Sequence, residues 1–278
     1  MTGRWLGVAR KDFRDAIRSR TLLSLTVLFV LFVAGASFLF VEVLPLPLNS
    51  TGVLLTSLLT PTSVLVPLIG LLVGYRAVVG ERESGSLKLL LSLPYTRGDV
   101  LFGKLVGRAG VVFVSVVVGF LTGAVAVLAL LRGFDPSVYL AFLAVTLLYA
   151  LAFVAIGVGI SAATASTTRA AVVAFGAFVL FQFLWGPLND LLVYAVDGTF
   201  PAFGAATAPD WSQFLRRLNP QEAYGAAARV AIGTANRAAE PGSQPLYLRD
   251  ELGLPILALW VVVPLALGYR RFRRADLT

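Results

Sequence analysis

Residues 81–104 read E-R-E-S-G-S-L-K-L-L-L-S-L-P-Y-T-R-G-D-V-L-F-G-K, the longest densely charged piece in the first two-thirds of the chain. Uncharged runs flank it, residues 43–75 before and residues 109–131 after. A polar segment tied between two apolar runs of membrane length sits at a membrane surface. Within it, Leu87, Leu90, Leu91 and Leu93 fall at roughly helical spacing, and Pro94 ends the pattern. The reading is a short amphipathic helix lying crosswise between two spans, with leucines that need a partner. Such a helix can take force from a body in the water.

The rest of the composition agrees with a membrane setting. Of 278 residues, 58% are hydrophobic and only 14% charged, against roughly 25% charged in soluble domains. The expected class is therefore an all-α, polytopic membrane protein. Cysteine and histidine are both absent, which removes disulfides, thiol nucleophiles and the usual zinc sites. No acidic cluster suggests a metal, and no cofactor is expected. The net charge of +8 does not point to nucleic acid, because the basic residues flank apolar runs as membrane topology requires.

Outward toward the N-terminus, residues 4–20 form a basic amphipathic pattern. Trp5, Leu6, Ala9, Phe13, Ala16 and Ile17 fall on one side, with Arg4, Lys11, Arg14, Asp15 and Arg18 opposite. This predicts a helix in the interface, apolar face toward the acyl chains. Six spans follow at about residues 21–41, 52–79, 108–131, 138–162, 170–189 and 252–269. The second holds Thr56, Ser57, Thr60, Thr62 and Ser63 together with Pro61 and Pro67. Two readings fit it, a helix lining a pathway or ordinary helix packing. Gln182, an amide well inside the fifth span, has the same two readings. Thr56, Thr60, Ser63 and Gln182 are the candidate pathway residues. Residues 190–250 are small, polar and proline-rich, with two short helices too short to cross, which read as interfacial or re-entrant pieces. One would start on Asp210; the other would run over residues 221–232, after Asn219-Pro220.

Thr96 and Asp99 have the spacing of a capping box and would start the helix that enters the third span. Gly98–Lys104 also matches most of a phosphate-binding loop, G-x-x-x-x-G-K. The next residue is Leu105, so no hydroxyl is available for magnesium, and no strand precedes the glycine. ATP binding is not expected in this chain. Orientation follows from charge: with the N-terminus inside, inner segments carry 17 of the 23 Lys and Arg. Both termini and residues 80–104 are expected in the cytoplasm, at the plasma membrane.

Glu81-Arg82-Glu83, Gly85-Ser86-Leu87, Leu90-Leu91, Pro94, Arg97 and Gly103-Lys104 together resemble the membrane subunit of ABC transporters of the type-2 permease family. That family includes permease-like proteins of copper-enzyme maturation clusters. Ser86 stands where the family pattern has threonine. Leu218-Asn219-Pro220 and the C-terminal Tyr269-Arg270-Arg271-Phe272 with Asp276-Leu277 are similar as well. The resemblance implies an N-terminal elbow helix (4–20), a coupling helix within the cytoplasmic loop 80–104, a second permease subunit and a separate ATP-binding subunit. It makes Glu81, Glu83, Gly85, Leu87, Leu90, Leu91, Pro94 and Arg97 the candidate coupling residues.

The expected function is thus the transmembrane subunit of an ATP-driven exporter, with hydrolysis in the partner and no enzymatic activity of its own. The alternative is a self-sufficient secondary transporter or channel. Those carry ionisable groups at mid-membrane or inverted repeats, and here no carboxylate lies between span ends. An intramembrane enzyme is disfavoured by the lack of His, Cys and paired intramembrane carboxylates. Glu42, Asp190 and Glu251 read as solvated flanks.

Overall fold

The computed structural model describes residues 3–17, 20–42, 51–130, 134–198, 208–233 and 245–275. Among them there are helices and no strands. The order is α1 (Arg4–Ile17), α2 (Arg20–Glu42), α3 (Thr51–Gly74), α4 (Val79–Glu83), α5 (Ser86–Ser92), α6 (Arg97–Leu130) and α7 (Pro136–Ala163). Then come α8 (Thr167–Val179), a π turn (Leu180–Leu184), α9 (Trp185–Asp197), α10 (Asp210–Arg217), α11 (Pro220–Ile232) and α12 (Gly253–Arg274). Arg18 of the amphipathic pattern and the terminal Asp276-Leu277 lie outside the described residues.

Among the described residues, five helices are long and apolar enough to cross a membrane: α3 with its continuation, α6, α7, the α8–α9 helix and α12. The α2 backbone is helical throughout Arg20–Glu42, and its described side chains include an apolar stretch, Thr26–Ala36.

The bundle is built around α7, whose faces meet α3, α6, α11 and α12. Small residues permit this. A Cβ on Gly74 would lie 2.9 Å from the Cα of Gly157, so α3 and α7 meet backbone to backbone. The core between them is aromatic: Phe142, Tyr149, Phe153 and Tyr224 are fully buried. On the other flank, α2 seats Phe29 and Val33 against α6, and Thr26 and Ser115 share a 2.6 Å hydroxyl contact.

Sequence signals account for the helix limits. Thr96 and Asp99 exchange hydrogen bonds: Thr96 N–H donates to Asp99 Oδ2 at 2.9 Å, and Asp99 N–H donates to Thr96 Oγ1 at 3.1 Å. That reciprocal cap starts α6. Asp135 caps α7 ahead of Pro136, and Asn219 caps α11 ahead of Pro220, each proline taking the first helical position. Gly233 closes α11 in the left-handed region, φ 77°. Asp210 does not cap α10: Pro209 holds that position, and Asp210 is the first helical residue. Helix α3 ends at Gly74, where the chain turns and Ser161 Oγ accepts the N–H groups of Val78 and Val79, both at 3.0 Å.

The lipid-facing reading of α1 needs correction. Val8, Ala9, Asp12 and Ala16 are buried against α6, so the face read as lipid-directed meets protein. Only Leu6 and Ile17 of that face stay exposed. Gly103 is what lets α1 approach, since a Cβ there would lie 2.6 Å from Val8 Cβ and 2.8 Å from the Trp5 carbonyl.

Candidate functional site

Two places concentrate polar chemistry: the segment between α3 and α6 at the basic end, and a polar groove farther along α3.

At the basic end, the segment is held at nearly every charged residue. Lys104, 4% exposed, donates to Asp12 of α1 at 2.7 Å and to Glu81 of α4 at 2.6 Å. Arg108 Nε lies 2.8 Å from the other Asp12 oxygen. Two carboxylates, an ammonium and a guanidinium thus join α1, α4 and α6 in one cluster. Removal of one partner from such a buried cluster leaves a charge without its counter-ion. Lys104 also lies within the continuous helix α6, which is not the geometry of a phosphate-binding loop.

Glu83 reaches a different helix. Its two oxygens accept the Thr167 N–H and hydroxyl, each at 2.7 Å, at the start of α8. The Thr167 N–H, then its hydroxyl, hold the Glu83 carboxyl below the usual range. Arg97 caps the far end of α12, donating to the carbonyls of Phe272, Arg273 and Ala275 while its guanidinium lies over the Phe272 ring at 5.5 Å. These are the last carbonyls of α12, which lack partners within their own helix. Arg4 of α1 donates to the Pro94 carbonyl at 2.9 Å. Gly85 takes φ 75° and turns the chain into α5.

The candidate coupling residues therefore divide into two sets. Glu81, Glu83 and Arg97 tie the segment to α6, α8 and α12. Leu87 is 1% exposed and belongs to the core, while Leu90 and Leu91 are partly buried against it. The side chains turned to solvent are Lys88, Leu89, Ser92, Leu93 and Pro94, with Leu89 73% and Leu93 52% exposed. Leu89 is the residue that sequence reading passed over. In a helix of seven residues the apolar period is too short to say which leucines turn inward.

Farther along α3, Pro67 has no N–H for the Ser63 carbonyl one turn earlier. Two side chains answer it. Tyr149 Oη donates at 2.9 Å and Gln182 Nε2 at 2.8 Å. Gln182 sits in the π turn, whose Phe181 carbonyl takes a hydrogen bond from Asn219 Nδ2 at 2.8 Å. Tyr224 of α11 stacks on Tyr149, ring centroids 4.2 Å apart, and its hydroxyl lies 3.0 Å from those of both Thr62 and Thr146. Of the two short helices, read as interfacial or re-entrant, α11 is inserted: its first turns lie at the level of mid-α3 and mid-α7. Asp190, read as a solvated flank, is paired with Arg216 of α10.

A groove of about 470 Å³ opens beside this cluster, lined by Thr56, Leu59, Thr60, Ser63, Gln221, Glu222, Gly225 and Arg229. Three of the four candidate pathway residues, Thr56, Thr60 and Ser63, share that wall. Gln182 lies behind it, bonded to the Ser63 backbone. Gln221 Nε2 reaches Ser63 Oγ at 3.3 Å across the groove. Glu222 also lines the groove and was missed as a site residue, because which side chains of a short helix face a groove is set by tertiary packing.

Comparison with known proteins fits this layout. The family model described as ABC-2 family transporter protein matches residues 6–277. A relative from Pseudomonas aeruginosa, named probable ABC transporter permease protein NosY, is 30% identical over 280 residues, covering 96% of this chain and 97% of the relative. The protein of the same name from Stutzerimonas stutzeri is also 30% identical, over 278 residues, with the same coverage.

Proposed function

The chain belongs to the ABC-2 transporter family as a membrane-spanning subunit, and on that premise we propose an exporter whose drive enters through α5. The family implies an ATP-binding partner. In this reading the partner docks in the cytoplasm on the exposed face of α5, at Leu89, Leu93 and Pro94. A second permease subunit, identical or not, completes the transporter. The basic end, with both termini, is the cytoplasmic end, and the membrane is the plasma membrane.

One observation carries the reading. A segment with two exposed leucines is tied by Glu81, Glu83 and Arg97 to three different helices. Force applied at α5 therefore reaches α6, α8 and α12 without loss in a slack loop, and reaches α1 through Lys104. A surface connector has no need of such ties. Movement of these helices then changes access to the groove along α3, which serves as the substrate path.

The test is docking. Two leucines buried in an ATPase groove contribute roughly 3–6 kcal/mol by area, or about a hundredfold to ten-thousandfold in affinity. Leu89→Asp/Leu93→Asp should insert normally but fail to co-purify with a tagged ATPase subunit at matched membrane levels. Equal recovery with the unaltered chain would sink the assignment of α5 as the docking element.

A further inference from the structure

We propose that the basic end of α12 is a binding site for an anionic phospholipid, its phosphate held by Arg270, Arg271 and Arg274 and its acyl chain laid along the apolar face that leads to them. The site does not depend on the direction of transport or on where the ATPase docks.

Placement is the first argument. Leu267, Arg270, Arg271 and Arg274 stand at i, i+3, i+4 and i+7 of α12, hence on one helix face. With Ala275 they line a cavity of about 470 Å³. Leu259 and Val263 continue that face back into the span, and both are exposed, as is Leu267. From Leu259 to Arg270 is about 16 Å along the axis. An apolar stripe running into three guanidiniums has the polarity of a lipid, chain first and headgroup last. It changes character where the uncharged run of α12 gives way to charge, the level of a membrane surface.

The second argument is that these arginines have no counter-ion. Among the described residues no carboxylate pairs with Arg270, Arg271 or Arg274, and no acidic side chain lines the cavity. Other arginines of this end are engaged: Arg108 by Asp12, Arg4 by the Pro94 carbonyl, and Arg273 over the Tyr269 ring at 6.0 Å. Helix capping does not need the three, since Arg97 already takes the carbonyls of Phe272, Arg273 and Ala275. Orientation in the membrane asks for positive charge at this end, not for three arginines converging on one cavity. Like charges so close repel until an anion joins them, and planar guanidinium forks fit phosphate oxygens. Basic pockets at a membrane surface take lipid headgroups in this way. A free phosphate would use the arginines and not the stripe.

Native mass spectrometry tests this on the full chain, purified in detergent and stripped of lipid. The chain is titrated with phosphatidylglycerol and, separately, with phosphatidylcholine of the same acyl chains. The unaltered chain should bind the anionic lipid about tenfold more tightly than the zwitterionic one. Arg270→Gln/Arg271→Gln/Arg274→Gln should lose that preference and weaken phosphatidylglycerol binding by about a hundredfold, roughly fivefold for each arginine. Leu267→Asp keeps the arginines but supplies them with a counter-ion, and should weaken binding by about tenfold. Arg10→Gln/Lys11→Gln/Arg14→Gln removes as much exposed charge from α1 and should leave the preference intact. Excess inorganic phosphate should not displace the lipid. Equal binding of the two lipids by the unaltered chain, or a preference kept by the α12 triple variant, overturns the proposal. So does its loss in the α1 variant, which would mean that net charge rather than a site attracts the lipid. Displacement by inorganic phosphate would assign the arginines to a soluble anion. Unchanged lipid binding with lost ATPase co-purification in the α12 variant would assign them to an acidic protein surface, and either result removes the lipid site.

Discussion

The carbonyl of Ser63 illustrates how single residues set the architecture. Pro67 removes one donor, and two side chains from two other helices replace it. A carbonyl has two lone pairs, so one donor can leave without orphaning it. Tyr149→Phe should therefore cost only about 1 kcal/mol, whereas adding Gln182→Leu leaves a buried acceptor empty and should cost roughly 1–3 kcal/mol more. Pro67→Ala restores the backbone N–H, and in the double variant it should recover much of the lost stability. Melting temperatures of the four chains in one detergent would check the cycle. Failure of Pro67→Ala to rescue the double variant would mean that Tyr149 and Gln182 act elsewhere. Gln182 thus has a packing role behind the groove wall.

Elements were legible in the sequence where their cause is local. The Thr96–Asp99 cap, the Asn219-Pro220 start and the Gly233 stop depend on neighbours within four residues, so spacing alone reveals them. What a helix face meets is not local. The apolar face of α1 was readable, but lipid and a glycine-lined helix demand the same apolar residues, and only the fold brings Val8 onto Gly103. Asp12 was silent for the same reason, since its partners Lys104 and Arg108 lie about ninety residues away. The insertion of α11 and the burial of Leu87 are likewise tertiary. If α1 is a lever on α6 rather than a float in the interface, its seat is sensitive to bulk. Gly103→Leu should displace α1 and strain the Lys104–Asp12 contact. Proteolysis near residue 18 should speed up in that variant, with the spans still inserted, and an unchanged cleavage rate would show that α1 is held by the bilayer.

At the scale of the whole molecule, the proposal requires that α5 and the groove open on opposite sides of the membrane. Charge gives the direction: the α1 and α5 end carries most of the Lys and Arg, and α12 finishes there on Arg270, Arg271, Arg273 and Arg274. The chain has no cysteine, so a single introduced thiol reports its own side without background. Ser84 is exposed beside α5, and Glu251 is exposed at the other end of α12. With the basic end in the cytoplasm, Glu251→Cys should react with a membrane-impermeant maleimide in intact cells, while Ser84→Cys should react only after the membrane is opened. Both should react in detergent, which controls for burial. Labelling of Ser84→Cys in intact cells would place α5 outside, where no ATP-binding subunit can reach it. The docking surface, the lever and the direction of transport would then fall together, because each depends on that one side.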